Sequence, residues 1–153
     1  MSIREEIEIQ YKQSIRDKKI IITNTIKLIK SAIKDKDIAA RSSGNKTGIT
    51  DQQIMSLFQN LVKQRKDSIE SFKLGDRKDL IEKEQKEIVI INSFLPKQKN
   101  ETETINLIDQ LIKDHNLKSI KDMRKIMDLL KTHYSGSIDM ALAGKIAKTK
   151  LTN

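Results

Sequence analysis

Lysine and arginine are the side chains of this sequence whose number and spacing could do chemistry, and that chemistry is anion binding. Thirty of the 153 residues are Lys or Arg against 21 Asp or Glu, a net charge of +9. A field of that sign attracts phosphate-rich or acidic partners. Two groups stand out. From Lys118 onward there are eight basic residues and three acids (Asp122, Asp128 and Asp139). Within that stretch Lys145 and Lys148 are three apart, so they project from one side of a helix. They lie near a turn that also holds Tyr134, and a basic patch with one aromatic suits an RNA backbone. The candidate nucleic-acid set is Lys145, Lys148, Lys131, Arg124, Lys125 and Tyr134. The second group is Lys63, Arg65 and Lys66, a candidate partner-binding set. Lys63 and Lys66 project together, whereas Arg65 falls on an apolar stripe and is placed to pair with carboxylates of the following helix.

Other chemistries find little support. Without cysteine there is no thiolate nucleophile, disulfide or Cys-zinc site. The two histidines, His115 and His133, sit in no HExxH or HxxxH pattern and read as exposed polar residues at a helix end and a turn. Residues 44–48, GNKTG, lack the spacing and preceding strand of a phosphate-binding loop and read as a flexible loop. Asp76, Asp79, Glu82, Glu84 and Glu87 alternate with Lys83 and Lys86, the pattern of a solvated helix face. No catalytic residue, metal ligand or cofactor is expected. Five aromatics in all exclude base-stacking platforms of the RRM or OB kind. Only six basic residues are Arg, and the chain is crowded with Ile, Lys and Asn. Codon composition therefore stands beside selection for binding as an origin of the charge.

The elements that must position these residues are helices throughout. Ser2–Glu5, Thr50–Gln53 and Asn100–Glu103 are capping-box patterns. Ile3, Ile7, Tyr11 and Ile15 form one stripe. Ile22, Ile26, Ile29 and Ile33 form another, with Ile21, Leu28 and Ala32 widening it to the face of a central helix. Ile54, Leu57, Phe58, Leu61, Val62, Ile69 and Phe72 point inward on a third helix. Ile81, Ile88, Ile91 and Leu95 do so on a fourth. Gly75 is expected in the left-handed conformation ending helix three, with Asp76 capping helix four. Pro96 stops that helix at Leu95. Beyond it come Ile105, Ile108 and Ile112; then Ile120, Met123, Met127 and Leu130 after a Ser119 cap; then Ile138, Leu142 and Ile146. Asn116 ends the first of these helices. No strand pattern or repeat is found. The expected fold is all-α with two helical subdomains: an N-terminal bundle of about four helices over 1–95 and a C-terminal three-helix bundle over 96–153. Residues 1–95 carry 19 basic and 14 acidic side chains and residues 96–153 carry 11 and 7, so both are basic.

The N-terminal residues MSIREEIEIQ place acids where a signal peptide has a basic patch and an apolar run. No apolar run approaches the ~18 residues of a membrane span. A soluble, cytoplasmic monomer with no membrane association is expected.

The block VKQRKDSIESFKLGDRKDLIEKEQKEIVIINSFLPKQ (62–98) resembles the YqeY family, and SIKDMRKIMDLLKTHYSGSIDMALAGKIAKTKL (119–151) is similar to that family's last segment. The likeness is collinear over nearly the whole chain. It implies an all-helical protein whose second subdomain is similar to the tail domain of GatB, a subunit of the tRNA-dependent amidotransferase. That tail helps hold tRNA. The family also carries an association with carbon–nitrogen ligase activity using glutamine as amido-N-donor. Nothing in 153 residues supplies the catalytic domain, so the resemblance implies binding and not catalysis. Arg124 and Asp128 stand where the family has glycines, and Ser137 where it has the Arg of a Gly-Arg turn; Lys145 and Lys148 match basic positions of its last helix. Three functions stay in contention. One is non-catalytic tRNA binding through the C-terminal subdomain. Another is a protein-interaction module docking through helices three and four. The third is an accessory of an amidotransferase, active only in complex. The implied partners are tRNA and an amidotransferase or an aminoacyl-tRNA synthetase.

Overall fold

The computed structural model describes residues 1–152, and among them every regular element is helical. Met1–Pro96 forms one compact unit and the described residues from Lys97 onward form a second. The first unit holds α1 (Ile3–Arg16), α2 (Ile20–Ser42), α3 (Asp51–Leu74) and α4 (Lys78–Asn92). The second holds α5 (Glu101–Asp114), a 3-10 turn (Ile120–Asp122), α6 (Met123–Tyr134) and α7 (Met140–Thr152).

The three capping boxes form as the sequence predicts. Ser2, Thr50 and Asn100 each accept a hydrogen bond from the amide three residues on, and Glu5, Gln53 and Glu103 reach back to the cap amide. Each box satisfies two amides that a helix start would leave without partners, and its loss costs about 1 kcal/mol. Asn116 ends α5 with φ +53, a left-handed conformation that Asn tolerates.

The corner between α3 and α4 differs from expectation. Gly75 keeps φ −94, and it is Asp76 that turns left-handed at φ +52. Arg77, with no side-chain cap bond, holds the N-cap position of α4. An aspartate can occupy the left-handed region because its short polar side chain relieves the strain locally. At the other end α4 stops at Asn92, before Leu95. Phe94 and Leu95 donate their amides three residues back, to Ile91 and Asn92. This tightened turn sends Phe94 into the core before Pro96 is reached.

Unit 1 is an up-down-up-down bundle. Its core is Ile7, Ile26, Ile29, Ile33, Ile54, Phe58, Val62, Ile91 and Phe94. The Phe58 and Phe94 rings pack tilted, 6.2 Å between centroids. The starts of α1 and α3 and the end of α2 are tied together at one end of this bundle. The Arg4 guanidinium donates to both Asp37 carboxylate oxygens at 2.9 Å and to the Ile49 carbonyl at 3.1 Å. Asp37 also accepts the Ile49 amide at 2.8 Å. The hydrogen bond from Arg4 holds the Asp37 carboxyl below its ordinary range, burial opposes this, and the Ile49 amide assists. A carboxylate depressed on folding stabilises above its unfolded value, and that contribution fades as pH falls through the folded one. Asp37→Asn should therefore lower stability at neutral pH and flatten the acid limb of a melting-temperature profile. An unchanged acid limb would refute the assignment.

Gly48 takes φ +93 beside this cluster, and a Cβ there would lie 2.8 Å from an Asp37 carboxylate oxygen. Gly48→Ala combines backbone strain with a collision that pushes on the Arg4–Asp37 pair. A loss of about 1–3 kcal/mol is expected in chemical denaturation. An unshifted midpoint would mean that the loop moves freely.

Two apolar faces sit differently from the sequence pattern. On α2, Ile21 and Leu28 are half exposed, because Ile22, Thr25, Ile26, Ile29 and Ile33 fill the arc its three neighbours cover. On α7 the inward positions are Ala143, Ala147 and Leu151, with Leu142 and Ile146 only partly buried. Small residues let α7 approach closely: Gly144 faces the Met127 methyl, and a Cβ there would sit 3.7 Å from it. Ile138, fully buried, precedes α7 and does not belong to it. Ile126 and Leu130 are the buried residues of α6, whereas Ile120 is nearly half exposed. The 3-10 turn advances about 120° per residue and so shifts the register assumed for a continuous α-helix.

Candidate nucleic-acid interface

The buried stripe of α6 leaves its opposite face to Arg124, Lys125, Asp128 and Lys131, all exposed. Their spacing of three and four keeps them within about a third of the helix circumference. The same geometry on α7 sets Lys145 and Lys148 outward, opposite Ala143, Ala147 and Leu151. α6 and α7 meet where Gly144 faces Met127. Arg124 and Lys131 flank Met127 by one turn on either side, and Lys145 follows Gly144 directly. Exposed cations are thus contributed by both of the helices that meet there.

Local carboxylates modulate the group without cancelling it. Asp122 accepts the amides of Lys118, at 2.7 Å, and Ser119, and these bonds hold its carboxyl below the ordinary range. Asp139 accepts the amides of Ala141 and Leu142 at the start of α7. Both carboxylates thus serve helix starts, where negative charge is favoured. Lys150 pairs with Asp109 at 3.2 Å across α7 and α5. Lys150 lies in the last turn of α7, where positive charge is favoured.

Tyr134 is half-buried against the unit 2 core, its ring edge-on to that of His133 at 6.3 Å. The ring is placed for packing first, and base stacking would use only its exposed part. The turn after it is closed by the Ser137 amide and hydroxyl donating to the Tyr134 carbonyl, by the Lys99 amide donating to Ser137, and by the Gln98 side-chain amide donating to Gly136. These contacts hold the turn that contains Ser137.

In unit 1 the candidate trio separates. Lys63 and Lys66 are exposed. Arg65 turns inward, donating Nε to a Glu87 carboxylate oxygen at 2.8 Å and Nη1 to the Leu61 carbonyl at 3.1 Å, with Glu84 at 3.9 Å. Its side chain is 14% exposed and that of Glu87 10%, so this pair belongs to the α3–α4 interior. The sequence had marked Glu87 as one of a solvated run; it is the member that faces α3. The apolar positions before it (Ile81) and after it (Ile88, Ile91) carried that signal.

His115 and His133 are exposed. Among the described residues no group of three or more His, Cys, Asp or Glu side chains is gathered to hold a metal ion. The 44–48 loop folds onto itself. Asn45 accepts the Thr47 amide and hydroxyl at 3.0 Å and donates to the Gly48 carbonyl at 3.0 Å. With the Ile49 amide on Asp37, these bonds direct the loop's polar groups inward.

A sequence profile described as "Yqey-like protein" matches residues 4–151. Several curated relatives carry the name "Altered inheritance of mitochondria protein 41, mitochondrial". That of Lachancea thermotolerans is 32% identical over 110 residues, 68% of this chain and 57% of the relative. That of Saccharomyces cerevisiae is 32% identical over 115 residues, 75% and 51% respectively. That of Candida glabrata is 34% identical over 84 residues, 55% and 44%. The chain thus spans about half the length of the curated relatives it matches. The mitochondrial designation of these relatives contradicts the expected cytoplasmic location. That expectation rested on N-terminal composition and on the lack of a long apolar run, neither of which names a compartment. Among the described residues no helix is long and apolar enough to cross a membrane.

Proposed function

The chain belongs to the Yqey-like protein family, and on that premise we propose that it binds tRNA through unit 2, with Lys145, Lys148, Lys131, Arg124 and Lys125 meeting phosphates. What supports this reading is the set of exposed cations on α6 and α7, on faces whose opposite sides are fixed by the core. Lysine ammoniums are compact point charges, so the contact set supplies affinity and register more than base identity. One arginine, Arg124, adds a planar fork suited to a phosphate. The reading carries no chemical step: the role is to hold a tRNA, in the manner of an amidotransferase tail, while a partner enzyme acts on it. An amidotransferase or an aminoacyl-tRNA synthetase is the fitting partner class.

Amide chemical-shift mapping of the full chain against tRNA tests the reading. Shifts concentrated on residues 121–131 and 141–152 would support it. Shifts confined to α3 and α4 would replace it with docking through unit 1, and an unperturbed spectrum would remove it.

A further inference from the structure

One end of the unit 1 bundle is built unlike the other. Ile21, Asn24 and Thr25 of α2 and Asp79, Glu82 and Lys83 of α4 line one open cleft, so the starts of these two helices are neighbours. The α1–α2 corner and the α3–α4 corner therefore share this end. The first corner exposes Ile15, Ile20 and Ile21 by 53%, 71% and 50%. The second exposes Leu74 by 93%, more than any other large apolar side chain among the described residues. Around these aliphatics stand Arg16, Lys18 and Lys19 at one corner and Lys73, Arg77 and Lys78 at the other, all exposed. Residues 12–21 and 70–83, which take in Glu70 and Glu82, together carry eight basic and five acidic side chains. Residues 1–10 and 35–51, at the opposite end, carry four and six. The positive charge is thus concentrated where the aliphatics project. Arg77 pairs with Asp79 and Lys73 with Glu70, both on the exposed surface where such pairs exchange readily with other anions.

The first corner is rigid. Ser14, nearly fully buried, shares a 2.8 Å hydrogen bond with the Thr23 hydroxyl. The Lys19 amide donates to the Ser14 carbonyl, and Lys18 turns left-handed at φ +56. Ile15 and Ile20 are consequently held outward by the fold, not left loose.

We propose that this end of unit 1 docks on an anionic lipid bilayer, Leu74 and the corner isoleucines entering the headgroup–acyl boundary and the surrounding lysines and arginines meeting anionic headgroups. Interfacial binding combines buried apolar area with attraction of basic side chains to an anionic surface. Both are present here on one end of a bundle, projecting from two helix corners. A nucleic acid would use the cations and leave the aliphatics in water. A second copy meeting face to face would oppose like charges.

Flotation with vesicles of phosphatidylcholine alone and of phosphatidylcholine with phosphatidylserine tests this on the full chain. The wild type should float with the serine-lipid vesicles and not with the neutral ones. Ile20→Ser with Leu74→Ser, both at exposed positions, should lower the partition coefficient about tenfold, and so should Lys18→Glu with Lys19→Glu. Lys145→Glu with Lys148→Glu should leave flotation unchanged, which keeps this result separate from the tRNA reading. The proposal is overturned if serine-lipid vesicles do not bind. It is overturned equally if the Ile20→Ser, Leu74→Ser variant floats as the wild type, if that variant instead abolishes a dimer seen by sedimentation, or if it instead abolishes tRNA binding.

Discussion

Lys145→Glu combined with Lys148→Glu is expected to weaken tRNA binding about a hundredfold at moderate salt. Each lysine that neutralises a phosphate releases counterion and contributes ~0.7–0.9 to the slope of log affinity against log salt. Reversal removes two such contributions and adds repulsion, so affinity and salt slope should fall together. The fold should survive. Both side chains are exposed and lie opposite the buried face of α7. Neither position lies in the last turn of α7, so the helix dipole adds little structural cost. Lys145→Arg with Lys148→Arg keeps the charge and should keep the binding. Filter binding with wild type and both variants, alongside thermal melts, separates loss of contact from loss of fold. Wild-type affinity in the glutamate variant would remove α7 from the interface.

The largest expected effect on stability belongs to Arg65. Its guanidinium meets Glu87 at 2.8 Å with both side chains largely out of water. Arg65→Ala leaves a carboxylate in the α3–α4 interior with Glu84 nearby and no cation, a cost of about 3–5 kcal/mol. Arg65→Met with Glu87→Leu removes both charges and fills similar volume, and that double variant should recover most of the loss, since a buried pair is often replaceable by packed apolar groups. Urea denaturation of Arg65→Met, of Glu87→Leu and of the double variant measures the coupling. Additive losses would mean that the pair is solvated in solution and contributes little.

Much of this was legible in the sequence because caps and periodicity are local. Ser2, Thr50 and Asn100 each announce a helix start through chemistry that spans four residues. Arg65 was readable too, as the one cation on an apolar stripe. What escaped depends on neighbours that a linear pattern does not contain. Gly75 and Asp76 share a corner, and which one turns left-handed is decided by how α3 and α4 meet. The exposure of Ile21 and Leu28 follows from the width of the groove that α2 occupies. In α7 the alanines pack inward where the pattern favoured Leu142 and Ile146, because close approach of helices rewards small side chains. For the interface the sequence shows which residues are cationic and at what spacing. That the helices bearing Arg124, Lys131 and Lys145 pack directly on each other appears only once Gly144 is seen against Met127. Leu74 sat on the expected helix three with nothing in its spacing to reveal that it projects 93% exposed at the bundle end.

A salt titration of tRNA affinity with the full chain is the most direct test of the central reading. The account predicts micromolar or tighter binding at low salt, stronger than to duplex DNA, with log affinity falling on log salt at a slope of about −3 to −4 for four or five phosphate contacts. Absence of binding at low salt, or affinity indifferent to salt, would contradict it and leave the positive charge without a nucleic-acid role.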